Sequence, residues 1–455
     1  MNKVDSHDVA VGLNFAKHKT KMKILELLGF NRNEHSIKVE VLAGVTTFLT
    51  MCYILAVNPL ILGDAGMDRG AVFSATVVAA AIATLVMAFY AKLPFALASG
   101  MGLNAFFTYT LVIGMHYTWE QALAAVFVEG VVFVVLTVFH IREAIVNAIP
   151  HNLRYAISVG IGLFIAFIGL KGGGVIVSNE ATLLTLGQWN AGSVLAVGGV
   201  LLGAVLLALN IRGALFITII LISILGIPFG VTNPGDDFTF VSLPYGFGDI
   251  VMKMDFSMFA TLDVNYLIAV FVLVFMDLFD TLGTLIGAST NAGMVDSQGN
   301  VKNLNKALMA DAVGTVAGAI CGTSTVTTYV ESSTGVSAGG RTGLTSLIVA
   351  LLFLVSLFFA PLFLSIPSAA TTSALVLVGV MMMKSFVKID MNDWTEAVPC
   401  FVTIIMMPLA YSISEGIVMG LMAYVAMKVF TGRFKDLSIT MYVLTALFVL
   451  RYVAM

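Results

Sequence analysis

Long apolar runs separated by short polar connections make up almost the whole chain. A bilayer crossing needs roughly 20 residues of α-helix, and about fourteen runs approach or exceed this length. A further apolar run at about 437–454 is either another span or a helix at the membrane surface, and the longest internal break is a polar stretch at about 233–262. The marked runs lie at roughly 39–62, 71–91, 94–114, 119–139, 153–170, 192–210, 212–232, 265–288, 306–322, 325–340, 343–365, 369–384, 395–411 and 413–431.

The composition excludes a soluble globular protein. The 455 residues are 59% hydrophobic and 11% charged, with a mean hydropathy of +0.99. Residues 1–37 are polar, carry several lysines and show no pattern of a cleavable signal peptide, so we expect them to stay in the cytoplasm. We therefore predict an all-α, multi-pass protein of the cell inner membrane, surrounded by lipid.

The charges of the loops agree with a cytoplasmic N-terminus. Lys and Arg concentrate on the cytoplasmic side of membrane proteins, so they should follow even-numbered spans. Arg142 follows the fourth run, Arg212 the sixth and Arg341 the tenth. The acidic break at 233–262 is then expected to face outward.

One internal match predicts two halves. Pro150 and Pro367 each follow Ile and precede an apolar helix, with Gly162 and Gly379 at the same distance after the Pro. An odd number of spans per half would make the second copy enter the membrane from the opposite side, giving a seven-plus-seven inverted repeat. Such a short match also arises by chance.

Two stretches interrupt the apolar pattern at matching places in the halves. Residues 321–343 are rich in Gly, Ser and Thr, which predicts a short extended piece ending near Tyr329 and a half-helix starting around Glu331. At 93–108, Gly100 and Gly102 interrupt a run, and a second short extended segment is expected before the other half-helix, which Asn104 is expected to begin. Irregular backbone at membrane depth needs a cavity or a protein contact. The alternative is that the glycines only pack helices together.

Five acidic residues lie well inside the predicted spans, with no Lys or Arg at comparable depth. Such carboxylates usually face a transport pathway, and without a basic partner they can take up a proton. Asp277 and Asp280 lie three residues apart on one helical face beside Thr281, whereas Glu129 and Asp311 fit either a relay or a structural hydrogen bond. The five are Glu129, Asp277, Asp280, Asp311 and Glu331.

Glu331 predicts the class of solute. A carboxylate can accept two adjacent N–H groups of a planar heterocycle, and it repels anions, so a neutral N–H-rich solute is favoured over a dicarboxylate or phosphate. The pattern contains no metal-ligand cluster of Cys and His, no phosphate loop and no nucleophile–base set. We therefore expect no cofactor, no metal, no nucleic-acid partner and no enzymatic activity.

Three separated motifs resemble the AzgA-like purine permeases, a branch of the nucleobase/ascorbate transporter family, and most of all the bacterial guanine/hypoxanthine permeases. They are GMGLNAFF at 100–107, FDTLGTL at 279–285 and TSTVTTYVESSTGVSAGGRTG at 323–343. The resemblance implies fourteen spans in two inverted repeats, proton-driven purine uptake and elevator-like movement of a core past a gate that forms a homodimer. The implied core covers 38–140 and 262–365, and the implied gate covers 141–261 and 366–455.

The resemblance also implies which residues act. Asp280 and Glu331 would hold the nucleobase with Asn104 opposite them, Asp280 being our first choice for the proton and Glu331 for the base, although these roles can be exchanged. Phe106 and Phe107 are candidates for stacking on the base. Further expected contacts are Ala105, Phe279, Thr281, Thr328 and Ser332, and further proton-coupling candidates are Asp277 and Asp311. The sequence does not rank the purines, and a carrier of uracil, urate or an inorganic anion on the same fold is the alternative.

Overall fold

The computed structural model consists mainly of α-helices. It describes residues 25–139, 150–233, 238–291, 294 and 303–439, with 441–442, 445–446 and 448–449 near the C-terminal end. Among these residues, seven helices are long and apolar enough to cross a membrane, and four shorter apolar helices accompany them. The count of fourteen spans stays a prediction. Most of the N-terminal tail and much of the run at 437–454 lie outside the described residues.

The helices of the first half follow the predicted apolar runs, and side-chain caps fix several of their starts. Asp68 accepts a hydrogen bond from the Ala71 amide at the start of α3, and Thr118 and Gln121 cap α5 reciprocally. The helices are α1 (Ile37–Met51), α2 (Ile54–Asp64), α3 (Arg69–Val86, continued by π-helical Met87–Ala91), α4 (Met101–Ala105, continued by π-helical Phe106–Gly114), α5 (Trp119–Val138), α6 (His151–Gly172), α7 (Ala191–Ala208) and α8 (Ala214–Gly226).

The second half begins at the end of the polar break, where its short first helix lies. Its helices are α9 (Ser257–Ala260), α10 (Val264–Asn291), α11 (Leu304–Cys321), α12 (Ser332–Ser337), α13 (Gly343–Ser356), α14 (Ala360–Leu364), α15 (Ser368–Met383), α16 (Trp394–Leu409) and α17 (Ile413–Phe430), with 3-10 turns at Leu357–Phe359, Lys384–Lys388 and Phe434–Asp436.

Four short strands modify the all-α prediction. β1 (Leu97–Ser99) and β4 (Val326–Thr328) are the extended pieces predicted before the two half-helices. The other pair, β2 (Ile176–Asn179) and β3 (Leu183–Leu186), forms a hairpin after α6 that the apolar pattern did not predict. Its residues are mostly exposed, so no buried face marks it in the sequence.

The helices pack into two groups. In the first group, α13 packs on α1 and α3, and α11 packs on α3 and α5. In the second group, α15 packs on α6 and α7, and α16 packs on α6 and α17. The first group holds helices of the predicted core segments and the second holds helices of the predicted gate segments. Their division into moving domains stays a prediction.

The two groups meet at an aromatic cluster and at a glycine. The Tyr411 ring, which follows α16, makes edge contacts with Phe164 of α6 and with Tyr109 of the first group. A Cβ atom on Gly102 would lie 2.8 Å from the Ile161 side chain of α6. Gly102 therefore brings α4 close to the second group, which is the helix-packing alternative considered for the GxG sequence.

A buried ion pair ties the end of α17 to α16. Lys428 Nζ lies 2.7 Å from Glu396 Oε1, with only 3% of the lysine side chain exposed. Asn152 and Tyr424 donate further hydrogen bonds to the Glu396 carboxylate, at 3.0 and 3.1 Å. Because every charge in this cluster has a partner, it fixes the packing of α6, α16 and α17.

Candidate functional site

The site is built on two buried strands, one from each half of the chain. β1 and β4 are antiparallel and pair Leu97 with Thr328 and Ser99 with Val326. The Gly100 amide donates to the Thr325 carbonyl oxygen at 3.0 Å, so the pairing reaches the start of α4. Each strand thereby satisfies the backbone groups that the other leaves open, which is what irregular backbone requires inside a membrane protein.

A half-helix follows each strand. α12 begins at Ser332, one residue after Glu331, in agreement with the prediction. α4 begins at Met101, so Asn104 lies within its first turn and does not begin the helix as predicted. The backbone amide of Asn104 donates to the Gly100 carbonyl oxygen at 2.8 Å, as in the first turn of a helix. This bond explains why α4 starts before Asn104.

Glu331 receives a hydrogen bond from a residue that the sequence did not single out. The Tyr53 hydroxyl lies 2.6 Å from Glu331 Oε1, and both side chains are buried. Tyr53 occupies the two-residue break between α1 and α2. The first span is therefore a third interrupted helix beside the two that were predicted.

Two more hydrogen bonds join the first span to the same segment. Asn58 of α2 donates to Thr323 Oγ1 at 2.8 Å, ahead of β4. On the other side of Glu331, the hydroxyl oxygens of Thr50 and Thr334 lie 3.1 Å apart. The first span thus contacts the broken element before, at and after Glu331. Asn58, next to Pro59 in an apolar run, is a signal in the sequence that indicates a polar role here, as is Thr50.

Asn104, in the chain's first half, contacts the segment that precedes β4. Its Oδ1 atom accepts a short hydrogen bond from the Ser324 hydroxyl. Asn104 Nδ2 is fully buried, as is Thr328 Oγ1, and neither atom has a hydrogen-bond partner within the described part of the chain. Buried polar atoms without partners are costly, so each is available to a bound solute.

Asp280 is the most accessible of the acids on α10 and α11. It is partly exposed, whereas Asp277 and Asp311 are fully buried. α10, which carries Asp280, packs on α12, and Glu331 immediately precedes α12. The two carboxylates expected to hold the solute therefore lie on neighbouring elements.

Thr281 connects the remaining acids to the strand. Its Oγ1 atom lies 2.8 Å from Asp311 Oδ1, 3.2 Å from Asp277 Oδ1 and 2.7 Å from Thr327 Oγ1. A hydroxyl has one hydrogen, so Thr281 donates to an acid while Thr327 donates to Thr281. Thr281 therefore connects Asp277 and Asp311 to Thr327 of β4 through hydrogen bonds.

Glu129 also reaches the broken element. The Thr325 hydroxyl donates to Glu129 Oε2 at 2.6 Å, and both residues are fully buried. Thr325 immediately precedes β4. Glu129, whose role the sequence left open, therefore holds the start of the strand.

The other expected contacts are placed as follows. Ser332 Oγ accepts a hydrogen bond from the backbone amide of Ala96 at 3.0 Å. This bond links the start of α12 to the residue that precedes β1. Ala105, Phe106 and Phe107 are buried in the apolar core. The Phe279 side chain lies outside the described part of the structure. The three cysteines are buried free thiols.

Comparison with known proteins decides the family. The Xan_ur_permease model, described as Permease family, matches residues 38–419. The chain belongs to this Permease family. The permease is thus a multi-pass membrane transporter and not an enzyme, which confirms the resemblance noted in the sequence.

Two relatives carry the names of nucleobase carriers. The adenine permease AdeQ of Escherichia coli is 43% identical over 92% of this chain and 93% of its own length. The guanine/hypoxanthine permease PbuO of Bacillus subtilis is 41% identical over 91% of this chain and 96% of its own. Similarity therefore extends to adenine permeases as well as to the expected guanine/hypoxanthine type.

A solved structure supports the fold. The transmembrane domain of the cyanobacterial bicarbonate transporter BicA aligns with a TM-score of 0.64, covering 84% of this chain and 97% of that domain at 17% identity. At this identity the likeness concerns the architecture alone.

Proposed function

We propose that this permease imports purine nucleobases together with protons. The observation that carries the proposal is the packing of α10, which carries Asp280, on α12, which Glu331 immediately precedes. The strand and half-helix of this site also carry buried Thr328 Oγ1 and Asn104 Nδ2, which have no hydrogen-bond partner among the described residues. The names of the relatives identify purine nucleobases as the substrate class to test first.

The chemistry of the donors and acceptors fits a purine. The Glu331 carboxylate accepts N–H groups, while the Asn104 amide donates to a ring nitrogen or a carbonyl oxygen and the Thr328 hydroxyl can do either. A neutral base presents both kinds of group along its edge, whereas an anion would be repelled by the acids. Hypoxanthine, guanine, adenine and xanthine are the members of this class that we propose.

Asp280 is the proposed proton carrier. Like charges held close together in a medium of low polarity repel each other, so binding one proton among Asp280, Asp311 and Glu331 relieves this repulsion. Asp280 is partly exposed, which gives a proton access that the fully buried Asp311 does not have.

We propose an elevator movement in which the first helix group carries the site past the second. β1, β4 and α12 pack with α1, α3 and α11 of the first group, so these parts of the site would travel together, while α4 also contacts α6 of the second group. The proposal includes a homodimer formed through the second group, an inner-membrane location and a cytoplasmic N-terminus. Mass measurement of the detergent-solubilised protein and protease accessibility of the N-terminus in cells test these parts.

The decisive experiment is uptake into proteoliposomes. Labelled hypoxanthine, guanine, adenine and uracil are supplied with and without an imposed pH gradient. We expect saturable purine uptake that collapses when the gradient is dissipated, and no uptake of uracil. Uptake of uracil alone, or of purines without any effect of the gradient, would contradict the substrate class or the proton coupling respectively.

A further inference from the structure

Tyr53 is placed where it can control Glu331. α1 ends at Met51 and α2 begins at Ile54, so Tyr53 sits in the break with 1% of its surface exposed. Pro59, inside α2, lacks the amide hydrogen that a regular helix would use one turn back. The first span therefore has an irregular segment directly opposite the second-half broken element.

The contact fixes one oxygen of the carboxylate. A phenol hydroxyl donates one hydrogen, and the 2.6 Å separation from Glu331 Oε1 is that of a strong hydrogen bond to a charged acceptor. A glutamate side chain has three rotatable bonds, so an anchored oxygen determines the plane in which the remaining lone pairs point. Those lone pairs are the ones available to N–H groups of a base.

The anchor is itself held by further contacts. Thr50 contacts Thr334 and Asn58 contacts Thr323, so the first span is joined to the chain on both sides of Glu331. Tyr53 is also buried in the main apolar core. These contacts place Tyr53 relative to Glu331 in this structure.

We propose that Tyr53 is a positioning residue that orients the Glu331 carboxylate toward the base. The proposal deepens the proposed function and rests on it. Tyr53 does not need to touch the substrate, because its effect passes through Glu331.

The test compares Tyr53→Phe in two backgrounds. In the full-length reconstituted permease, we expect the substitution to raise the KM for the transported purine by about tenfold, with a smaller change in maximal rate. In a Glu331→Gln background the same substitution is expected to change KM less than twofold, because the acceptor it orients is gone. An equal effect in both backgrounds, or none in either, overturns the proposal.

Tyr266→Phe is the matched control. Tyr266 is fully buried, and its hydroxyl donates to the Gln121 carbonyl oxygen at the same 2.6 Å, away from the acids. Its acidic neighbour Asp263, which accepts from the Tyr266 backbone amide, lies outside the site, so we expect the KM of Tyr266→Phe to stay at the wild-type value. If the wild-type protein transports no purine, the proposed function fails and the role of Tyr53 fails with it. If the wild type transports purine and Tyr53→Phe is normal, only the role of Tyr53 fails.

A second measurement covers the case in which Tyr53→Phe does not fold. Replacement of Tyr53 by 3-fluorotyrosine keeps the ring and the hydroxyl but makes the donor more acidic. The titratable groups near Glu331 are Tyr53, Tyr329 and Asp280. A stronger donor favours the charged carboxylate. We therefore expect the loss of purine binding on acidification to occur at lower pH in the fluorinated protein than in the wild type. In Tyr53→Phe we expect this loss at higher pH. If the fluorinated protein loses purine binding at the same pH as the wild type, the proposal is contradicted.

Discussion

Gly162 of α6 and Gly379 of α15 face each other where the two helices cross. A Cβ atom on Gly162 would lie 2.8 Å from the Gly379 carbonyl oxygen, and one on Gly379 would meet the Gly162 carbonyl oxygen in turn. These are the two glycines at matching positions after Pro150 and Pro367. Two equivalent positions that meet each other are expected at the axis of an inverted repeat.

Substitution at this crossing is expected to destabilise the protein. Gly379→Ala places a methyl group against backbone that cannot move without separating the helices, which costs about 1–3 kcal/mol. Thermal unfolding in detergent measures the loss. Gly198→Ala in α7 is the control, because its Cβ would meet nothing within 4 Å. Equal stabilities of the two variants would show that the crossing tolerates separation.

Glu331→Gln should weaken purine binding without unfolding the protein. The substitution keeps the shape of the side chain but removes a charge-assisted hydrogen bond, whose loss costs about 1.5–3 kcal/mol, or roughly tenfold to a hundredfold in Kd. Binding of labelled base to the purified permease measures the change. Glu180→Gln, in the exposed turn between β2 and β3, serves as the control. Unchanged affinity would remove Glu331 from the site.

Asp280→Asn should separate transport from the pH gradient. The amide cannot exchange a proton, so we expect gradient-driven accumulation to disappear while exchange of internal for external purine continues. Counterflow and gradient-driven uptake in the same proteoliposomes make the comparison. Asp249→Asn, at an exposed loop position, is the control. Accumulation that persists in Asp280→Asn would assign the proton to another acid.

A reversible cross-link between the helix groups should stop transport. The Tyr109 and Tyr411 rings are 5.7 Å apart between centroids, so cysteines at these positions can be joined by a short, reducible bis-thiosulfonate after the native cysteines are replaced. We expect uptake to fall with the cross-linked fraction and to return on reduction. Each single cysteine variant, treated in the same way, is the control. Transport by the cross-linked protein would contradict relative movement at this contact.

Breaking the buried ion pair should lower stability more than removing it. Lys428→Met leaves the Glu396 charge without its cation, which costs about 3–5 kcal/mol. We expect Lys428→Met/Glu396→Gln to recover part of this loss in thermal unfolding. Lys435→Met, at an exposed position nearby, is the control. A double variant no more stable than the single one would show that the cost comes from packing.

The sequence was most informative where polar residues interrupt an apolar run. Gly, Ser and Thr around Glu331 predicted the extended piece and the half-helix, because such residues are out of place in an ordinary span. The start of α4 was predicted too late. Gly100 and Gly102 suggested an interruption that lasts to Asn104, whereas β1 ends at Ser99 and α4 starts at Met101.

Tyr53 could not be predicted because its role is tertiary. A tyrosine in an apolar run is usually an ordinary buried aromatic residue. The partner of Tyr53, Glu331, lies 278 residues away in the sequence. Gly102 did stand out in the sequence, but its signal fits two interpretations, because a cavity and a helix contact both require a small residue. Only the position of Ile161 in the fold distinguishes them.

The pairing of β1 with β4 also constrains how the protein is made. Asn104 and Ser324, which flank the two strands, are separated by 220 residues. During synthesis, β1 enters the bilayer long before the ribosome has produced β4, and its open amide and carbonyl groups need interim partners from water, a translocon or a chaperone. The solute site is therefore among the last parts of the molecule to mature, and a chain truncated before the second half cannot complete it.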